Sequence, residues 1–368
     1  MKIVFVIQNM SGGGTERVVA YLANEYCRRG IETAILLFAG RETAYPLDDR
    51  IEIVSVGGPS AGSLSVRIKR LHAMRQYYTK NKNCQIWAFS VMGAVFSVIA
   101  AFGLKHFFLV SERNDPDRYD HKIIRNLAYR FADVIVCQTK YAVDAFPGSI
   151  RRKAVVISNP VDVEGLQPYE GIRDHRIVAV GRLEPQKNHK LLLRAFAEFY
   201  KTHPEYTVEL YGKGVLETEL KSLAQTLGIE KNVCFHGFSD RVKEEINDAA
   251  MYVLSSDYEG ISNSMLEALA LGIPVIATDC PIGGSEMYIE NGVNGLLVPV
   301  GEVRPMADAM SRIADDREFG ARIGKEGCKL REHNQIGRIA DLFLALGSGD
   351  RAESKISGER KNESGSDY

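Results

Sequence analysis

The chain has 368 residues, of which 45% are hydrophobic and 25% charged, with a formal net charge of −1. That length suits two ordinary domains better than one, the composition is that of a globular protein, and the near-neutral charge excludes a protein whose main task is coating nucleic acid. The six cysteines, Cys27, Cys84, Cys137, Cys234, Cys280 and Cys328, form no C-x-x-C pair, which argues against a zinc site or a disulfide framework and for small buried thiols in a reducing cytosol.

The N-terminal MKIVFVIQNM reads as a β-strand rather than an export signal, because its apolar run stops at a glycine turn without a convincing cleavage site. Ser11-Gly12-Gly13-Gly14-Thr15-Glu16 follows. Glycines there let the backbone turn tightly and bring amides toward a ligand at a helix start. A dinucleotide fingerprint needs glycine where Arg17 stands and an acidic residue where Phe38-Ala39-Gly40 closes the second strand, so an NAD enzyme is disfavoured; without a G-K-[ST] triplet, so is a P-loop. KIVFVIQ, ETAILLF, IEIVSV, QIWAFS, FFLVSE, DVIVCQ and KAVVIS predict strands, with amphipathic helices such as residues 17–29 and 121–131 between them. Runs that are apolar throughout predict parallel strands covered on both faces, hence a doubly wound α/β unit.

Residues 63–82 (SLSVRIKRLHAMRQYYTKNK) hold Arg67, Lys69, Arg70, Arg75, Lys80 and Lys82 and no acid. Helical spacing predicts a buried stripe of Leu64, Ile68 and Leu71, flanked by Arg67 and Arg70. Such a helix suits anionic lipid head groups or a lipid-linked diphosphate, and equally suits a plain solvated face. Residues 91–103 form the longest other apolar stretch; a membrane span needs roughly 20 residues, so a buried helix is expected.

Around residues 160–176 the pattern breaks into NPVDVEGLQPYEGIRDHR, a linker. The rhythm restarts with RIVAVG, TVELYG, VCFHGF, MYVLSS, PVIATD and GLLVPV, a second α/β unit that ends in helices at residues 305–315 and 317–331. After RIVAVG, the loop Gly181-Arg182-Leu183-Glu184-Pro185-Gln186-Lys187 sets Arg182 and Lys187 at a strand's carboxyl end, where open α/β sheets bind ligands. An Arg fork with a Lys point charge suits a diphosphate. After MYVLSSD, Glu259 lies in a loop, Gly260 to Ser264 turn into a helix, and Glu267 sits about one turn along it. Carboxylates there suit a ribose or hexose diol, although a loop or surface-helix role is the ordinary fate of such residues.

The N-terminal GGGTERVV, then GRLEPQKN, SSDYEGISNSMLEALALGIPVIATDC and PIGGSEMYIENGVNGLLV, in that order and with the pair Glu259/Glu267 eight residues apart, resemble retaining glycosyltransferases of family 4. The resemblance extends to about Leu346 and implies the GT-B fold, two Rossmann-like doubly wound domains facing across a cleft. It implies an acceptor domain over residues 1–165, joined by a C-terminal helix over 335–346, and a donor domain over 172–331. Arg182 and Lys187 would neutralise the donor diphosphate in place of a metal ion, with no cofactor required. Glu267 would hold the donor ribose and Glu259 the transferred sugar, helped by the turn at Ser262, Asn263 and Ser264. Phe238 and Ser239 would lie along the base, and Gly12, Gly13 and Gly14 would approach the phosphate or the acceptor.

Many relatives carry a histidine at the end of the strand that here reads FFLVSERNDP; Ser111-Glu112-Arg113-Asn114 stand there instead, and Glu112 and Arg113 suit facing the reacting carbon and, equally, a helix-capping or structural role. His106 precedes the strand and His121 lies beyond the loop. No glycosidase-like carboxylate pair is evident, so front-face substitution is favoured over double displacement. The run TDCPIGGSE resembles relatives that add Gal, GalNAc or Glc to carrier-bound precursors. The expected partners are therefore a UDP-sugar and a saccharide on a polyprenyl diphosphate, with Arg67, Lys69, Arg70 and Arg113 on the acceptor and membrane side of a cytoplasmic, peripherally bound enzyme. A nucleotide-sugar epimerase and a non-catalytic sugar-binding protein are the rival readings. The tail over 347–368 is expected to be disordered.

Overall fold

The structure, a computed structural model, describes residues 1–57 and 63–347; all of the tail beyond Gly347 lies outside the described residues. The first unit contains β1 (Lys2–Ile7), α1 (Gly14–Arg28), β2 (Glu32–Leu37), β3 (Glu52–Ser55), α2 (Leu64–Lys80), β4 (Cys84–Ala88), α3 (Val91–Ala100), β5 (Phe108–Ser111), α4 (Lys122–Tyr129), β6 (Val134–Cys137), α5 (Lys140–Asp144), α6 (Gly148–Arg151) and β7 (Ala154–Val156). The second contains β8 (Arg176–Val180), α7 (His189–Tyr200), β9 (Thr207–Tyr211), α8 (Glu217–Thr226), β10 (Val233–Gly237), α9 (Val242–Ile246), β11 (Met251–Leu254), α10 (Asn263–Ala270), β12 (Val275–Thr278), β13 (Leu296–Val298), α11 (Val303–Asp315) and α12 (Arg317–Cys328). A last helix, α13 (Ile336–Gly347), follows.

The sheets run β3-β2-β1-β4-β5-β6-β7 and β10-β9-β8-β11-β12-β13, and every pairing is parallel. This is the two-unit α/β architecture that the apolar runs predict. Strand order reverses between β1 and β4 and between β8 and β11, so a ligand crevice forms at the carboxyl edge beside each of these points.

Central strands are sealed on both faces. In β1, Val4 and Val6 pack with Met74, Tyr78, Phe96 and Tyr129 under α2, α3 and α4, while Ile3 and Phe5 pack with Tyr26, Trp87 and Phe343 under α1 and α13. Each large apolar side chain so buried contributes roughly 1.5–3 kcal/mol.

α13 belongs in space to the first unit. Tyr26 Oη donates to the Ala340 carbonyl at 3.0 Å, and the Phe343 ring lies 5.7 Å from that of Trp87. The chain therefore crosses between units twice, and the crossings touch: Val161 N donates to Asn334 O at 2.7 Å, and Val161 forms a parallel bridge with Gln335.

One local expectation fails and another holds in part. The buried edge of α2 is Arg70, Met74 and Tyr78, whereas Leu64 and Ile68 are 73% and 57% exposed and Leu71 is half-buried. Arg70 makes this possible: its guanidinium lies 4.4 Å from the Phe38 ring centre and donates to the Phe38 carbonyl at 3.2 Å. Arg70 is thus a packing residue and not a membrane or acceptor contact. The helix predicted over residues 91–103 is α3, which buries Ala94, Phe96 and Ala100 but leaves Ile99 and the following Phe102 exposed. No helix among the described residues is long and apolar enough to cross a membrane.

Candidate functional site

The cleft of about 320 Å³ between the units is walled by the loops that leave β1, β5, β8 and β11 at their carboxyl ends. Gly12, Gly13 and Gly14 line one side; Arg182, Lys187, Glu259, Ser262, Asn263 and Ser264 line the other. Gly12 has φ +115°, a conformation that glycine adopts without strain. Its carbonyl accepts a hydrogen bond from Tyr45 Oη at 2.9 Å, which pins the loop.

On the donor side, Pro185–Lys187 form a single tight turn, and Asn188 leaves it in the left-handed region with φ 43°. Asn188 caps α7 through Leu191 N at 3.2 Å and reaches Asp257 Oδ1 at 2.7 Å. Gln186 Nε2 donates to Tyr258 O at 3.0 Å, and Ser255 Oγ donates to Lys187 O at 2.8 Å. The loops after β8 and β11 are thus stitched together. The result is a 2.5 Å pair between Lys187 Nζ and Glu259 Oε2, with both side chains largely buried. Arg182 differs: its side chain is 58% exposed and pairs with Glu184 at 3.1 Å. Across the cleft, burial raises the Glu16 carboxyl above its usual range, opposed by the charge of Arg182.

α10 opens onto the cleft. Ser262 caps it by accepting from Met265 N at 3.4 Å, and Ser264 Oγ donates to Val180 O at 2.8 Å. Asn263 Nδ2 donates to Gly14 O at 2.9 Å, joining the units. These three side chains line the cleft while holding its walls. Gly260 lets the units approach closely: a Cβ there would stand 2.2 Å from Gln138 Oε1, which would have to shift, and 3.1 Å from the Arg113 carbonyl oxygen of the first unit.

Glu267 is buried, and the residue facing it comes from the other unit. Arg17 Nη1 donates to both of its carboxylate oxygens, at 2.7 and 2.8 Å. Burial alone would weaken the Arg17 charge, but Glu267 raises its pKa above the ordinary arginine value. Arg17 Nε also donates to Tyr45 Oη at 3.4 Å, so the pair connects to the glycine loop. Phe238 and Ser239 do not line this cleft; they wall an adjoining chamber of about 460 Å³ that shares Arg17 and Tyr45 with it.

At the end of β5, Glu112 is buried outside the cleft, taking hydrogen bonds from Tyr129 Oη at 2.9 Å and from the amides of Arg113 and Asn114. Arg113 lines the cleft with Asn114, Gln138 and Asn159. Asn159 takes Gln138 Nε2 on its Oδ1 at 2.9 Å and gives Nδ2 to Ile261 O at 3.2 Å. Arg67 and Lys69 stand exposed on α2, outside the cleft; half-buried His106, before β5, and exposed His121, at the start of α4, also lie outside it. Sequence reasoning missed Arg17, Tyr45, Gln138 and Asn159 as site residues. Gln138 and Asn159 follow strand ends, the signal that located Arg182; Arg17 had marked itself by breaking the dinucleotide fingerprint. Among the described residues no group of three or more His, Cys, Asp or Glu is placed to hold a metal ion.

Known proteins resemble the chain in both halves. The family described as Glycosyltransferase Family 4 matches residues 12–164, and that described as Glycosyl transferases group 1 matches residues 170–330. A Campylobacter jejuni protein named GalNAc-alpha-(1->4)-GalNAc-alpha-(1->3)-diNAcBac-PP-undecaprenol alpha-1,4-N-acetyl-D-galactosaminyltransferase is 25% identical, over 94% of this chain and 98% of its own. Another from that organism, N-acetylgalactosamine-N,N'-diacetylbacillosaminyl-diphospho-undecaprenol 4-alpha-N-acetylgalactosaminyltransferase, is 26% identical over 86% of this chain and 90% of its own. The crystal structure of Anabaena HepE in complex with UDP and glucose matches the fold with a TM-score of 0.80 and 22% identity, over 95% of this chain and 100% of that one.

Proposed function

The chain belongs to the glycosyltransferases, its first half to family 4 and its second to group 1, and on that premise we propose that it moves a hexose or N-acetylhexosamine from a UDP-sugar to a saccharide on a polyprenyl diphosphate, building a polysaccharide or glycan precursor. The observation that carries this is the Lys187–Glu259 pair beside Arg182, at the carboxyl edge of β8 and β11 and at the mouth of α10. Lys187 and Arg182 give two positive charges to a departing diphosphate, and the N-terminal turn of α10 adds the positive end of a helix. Glu259, next to Lys187, takes a sugar hydroxyl. Glu267 is buried behind Arg17 and lines neither chamber, so it would take the ribose diol once Arg17 turns aside.

Transfer then needs no covalent enzyme intermediate. The leaving phosphate oxygen takes the proton of the attacking acceptor hydroxyl as the new bond forms on the same face, and the anomeric configuration is kept. The side chains position the reactants and stabilise charge, without a metal ion. The undecaprenol-linked acceptors in the names of the Campylobacter relatives support the lipid carrier, and the UDP complex of the Anabaena protein supports the nucleotide.

A lipid carrier brings the enzyme to a membrane face, and the outer side of the first unit supports that contact. Leu64 and Ile68 on α2, Ile99 and Phe102 at the end of α3, and Ile123, Ile124, Leu127 and Phe131 on and after α4 are each more than half exposed. These helices lie side by side on one face of the sheet. Residues 53–131, which span these helices, contain twelve Lys and Arg against four Asp and Glu. Apolar side chains among cations fit an anionic leaflet, whereas a second copy would set like charges together. The triple variant Ile123→Ser, Ile124→Ser, Leu127→Ser should lose sedimentation with phosphatidylglycerol vesicles; full retention would refute this surface.

The test of the activity offers UDP-glucose, UDP-galactose, UDP-GlcNAc and UDP-GalNAc, with and without a polyprenyl-diphosphate disaccharide. The expected product is the acceptor heavier by one sugar, with an α anomeric signal from these α-linked donors. Isomerised nucleotide-sugar from donor alone would mean an epimerase and would refute transfer.

A further inference from the structure

We propose that Arg113 is a ligand-binding residue that takes an oxyanion of the bound sugar nucleotide, from the diphosphate or from a carboxylate on the transferred sugar. Arg113 follows β5 at the carboxyl edge of the first sheet, lines the cleft opposite Lys187 and Glu259, and is only 8% exposed. Of its three side-chain nitrogens, Nη2 donates to Asn159 Oδ1, while Nε and Nη1 have no hydrogen-bond partner among the described residues. No carboxylate forms an ion pair with it there. The adjacent Glu112 is turned toward Tyr129 and the local backbone. Phe89 offers only its ring face, 5.8 Å from the guanidinium carbon. Burial pushes the Arg113 pKa down to about 10, and the nearby Tyr288 and Glu112, neither of them bonded to the guanidinium, offset that only in part.

A buried guanidinium with unmade hydrogen bonds destabilises the ligand-free protein, and such a group in a cleft signals a missing counter-charge. Asn159 fixes one corner of the fork. The remaining nitrogens, Nε and Nη1, suit two oxygens of one planar or tetrahedral anion. They are closed off from solvent with the units together, so the anion must enter before the units close on it. Arg182 and Lys187 face the diphosphate from the other side in the proposed reaction. Arg113 therefore either completes that clamp or reads a hexuronic acid.

This inference rests on the sugar-nucleotide reading of the cleft, and calorimetry separates the two. Wild-type protein and Arg113→Met are titrated with UDP, UDP-glucose and UDP-glucuronic acid. If the wild type binds none of them, the sugar-nucleotide reading itself is overturned and this inference with it. A loss of at least tenfold in affinity for all three ligands in Arg113→Met supports the diphosphate; the same loss confined to UDP-glucuronic acid supports the carboxylate. Affinities within twofold of the wild type overturn the proposal for Arg113 alone. Thermal unfolding of the ligand-free variant is a second readout. Methionine removes the unpaired donors, so the midpoint should hold or rise while affinity falls; a lower midpoint with unchanged affinity marks a structural residue and overturns the proposal. Should Arg113→Met not fold, Arg113→Lys, which keeps the charge but loses the fork, is judged by the same affinity limits.

Discussion

Replacing Arg17 by methionine should open the molecule. Arg17 and Glu267 come from different units, their side chains are 17% and 3% exposed, and both carboxylate oxygens are engaged. Removing one partner of a buried pair leaves an uncompensated charge that costs about 3–5 kcal/mol. The closed form alone bears this cost, because parting the units returns Glu267 to water. The ratio of closed to open molecules should fall by roughly 10² to 5 × 10³. Hydrogen exchange should then quicken in the first turns of α1 and α10, the radius of gyration should grow, and UDP should bind more weakly. Replacing both partners by neutral groups is close to neutral, so adding Glu267→Gln should restore the exchange protection but not the nucleotide affinity. Protection and UDP affinity unchanged in Arg17→Met would refute the reasoning.

Other outcomes follow from the same geometry. Arg182→Ala should slow turnover by roughly 10² to 10³ with no change in the unfolding midpoint, since its pair with Glu184 is exposed; a normal rate would remove it from the reaction. Lys187→Met should slow turnover as much and also lower the midpoint, because it strands the largely buried Glu259 carboxylate. Chelation with EDTA should leave initial rates unchanged, and a loss restored by a divalent ion would contradict the basic-residue clamp. His189 is 4% exposed, and burial with the nearby Lys187 charge, against a weaker backbone contact with Arg182, pushes its pKa down to about 4. The unfolded chain takes up this proton near pH 6.5 while the folded one does not, so stability is lost as pH falls from about 6.5 to 4, by on the order of 3 kcal/mol. His189→Leu should flatten that limb in pH-dependent denaturation; an identical limb would assign it to other groups.

The fold was legible because its strands announce themselves. Each apolar run, from KIVFVIQ to GLLVPV, became a parallel strand, since a strand covered on both faces has no polar side to blur the pattern. Residues fixed by position on a strand end, such as Arg182, Lys187 and Glu259, were found with them. What escaped depends on contacts across the chain. Nothing near Glu267 in sequence says that Arg17, 250 residues away, would meet it. Nothing in residues 63–82 says that Arg70 would lie on Phe38 and Phe96 and rotate the buried edge of α2. An arginine was counted as polar, but its flat apolar face let it act as core.

The return of α13 to the first unit has a consequence for the ancestry and redesign of the molecule. The second unit is one unbroken insert, entering near Val161 and leaving near Asn334, and those two residues are joined by a 2.7 Å hydrogen bond. An insert whose ends emerge side by side can be exchanged without stretching its host. The catalyst is therefore built as a handle with a replaceable head: a graft of residues 162–334 from a relative carries its own counterparts of Arg182, Lys187 and Glu259 into the cleft, while Arg113 and the glycine loop stay with the handle.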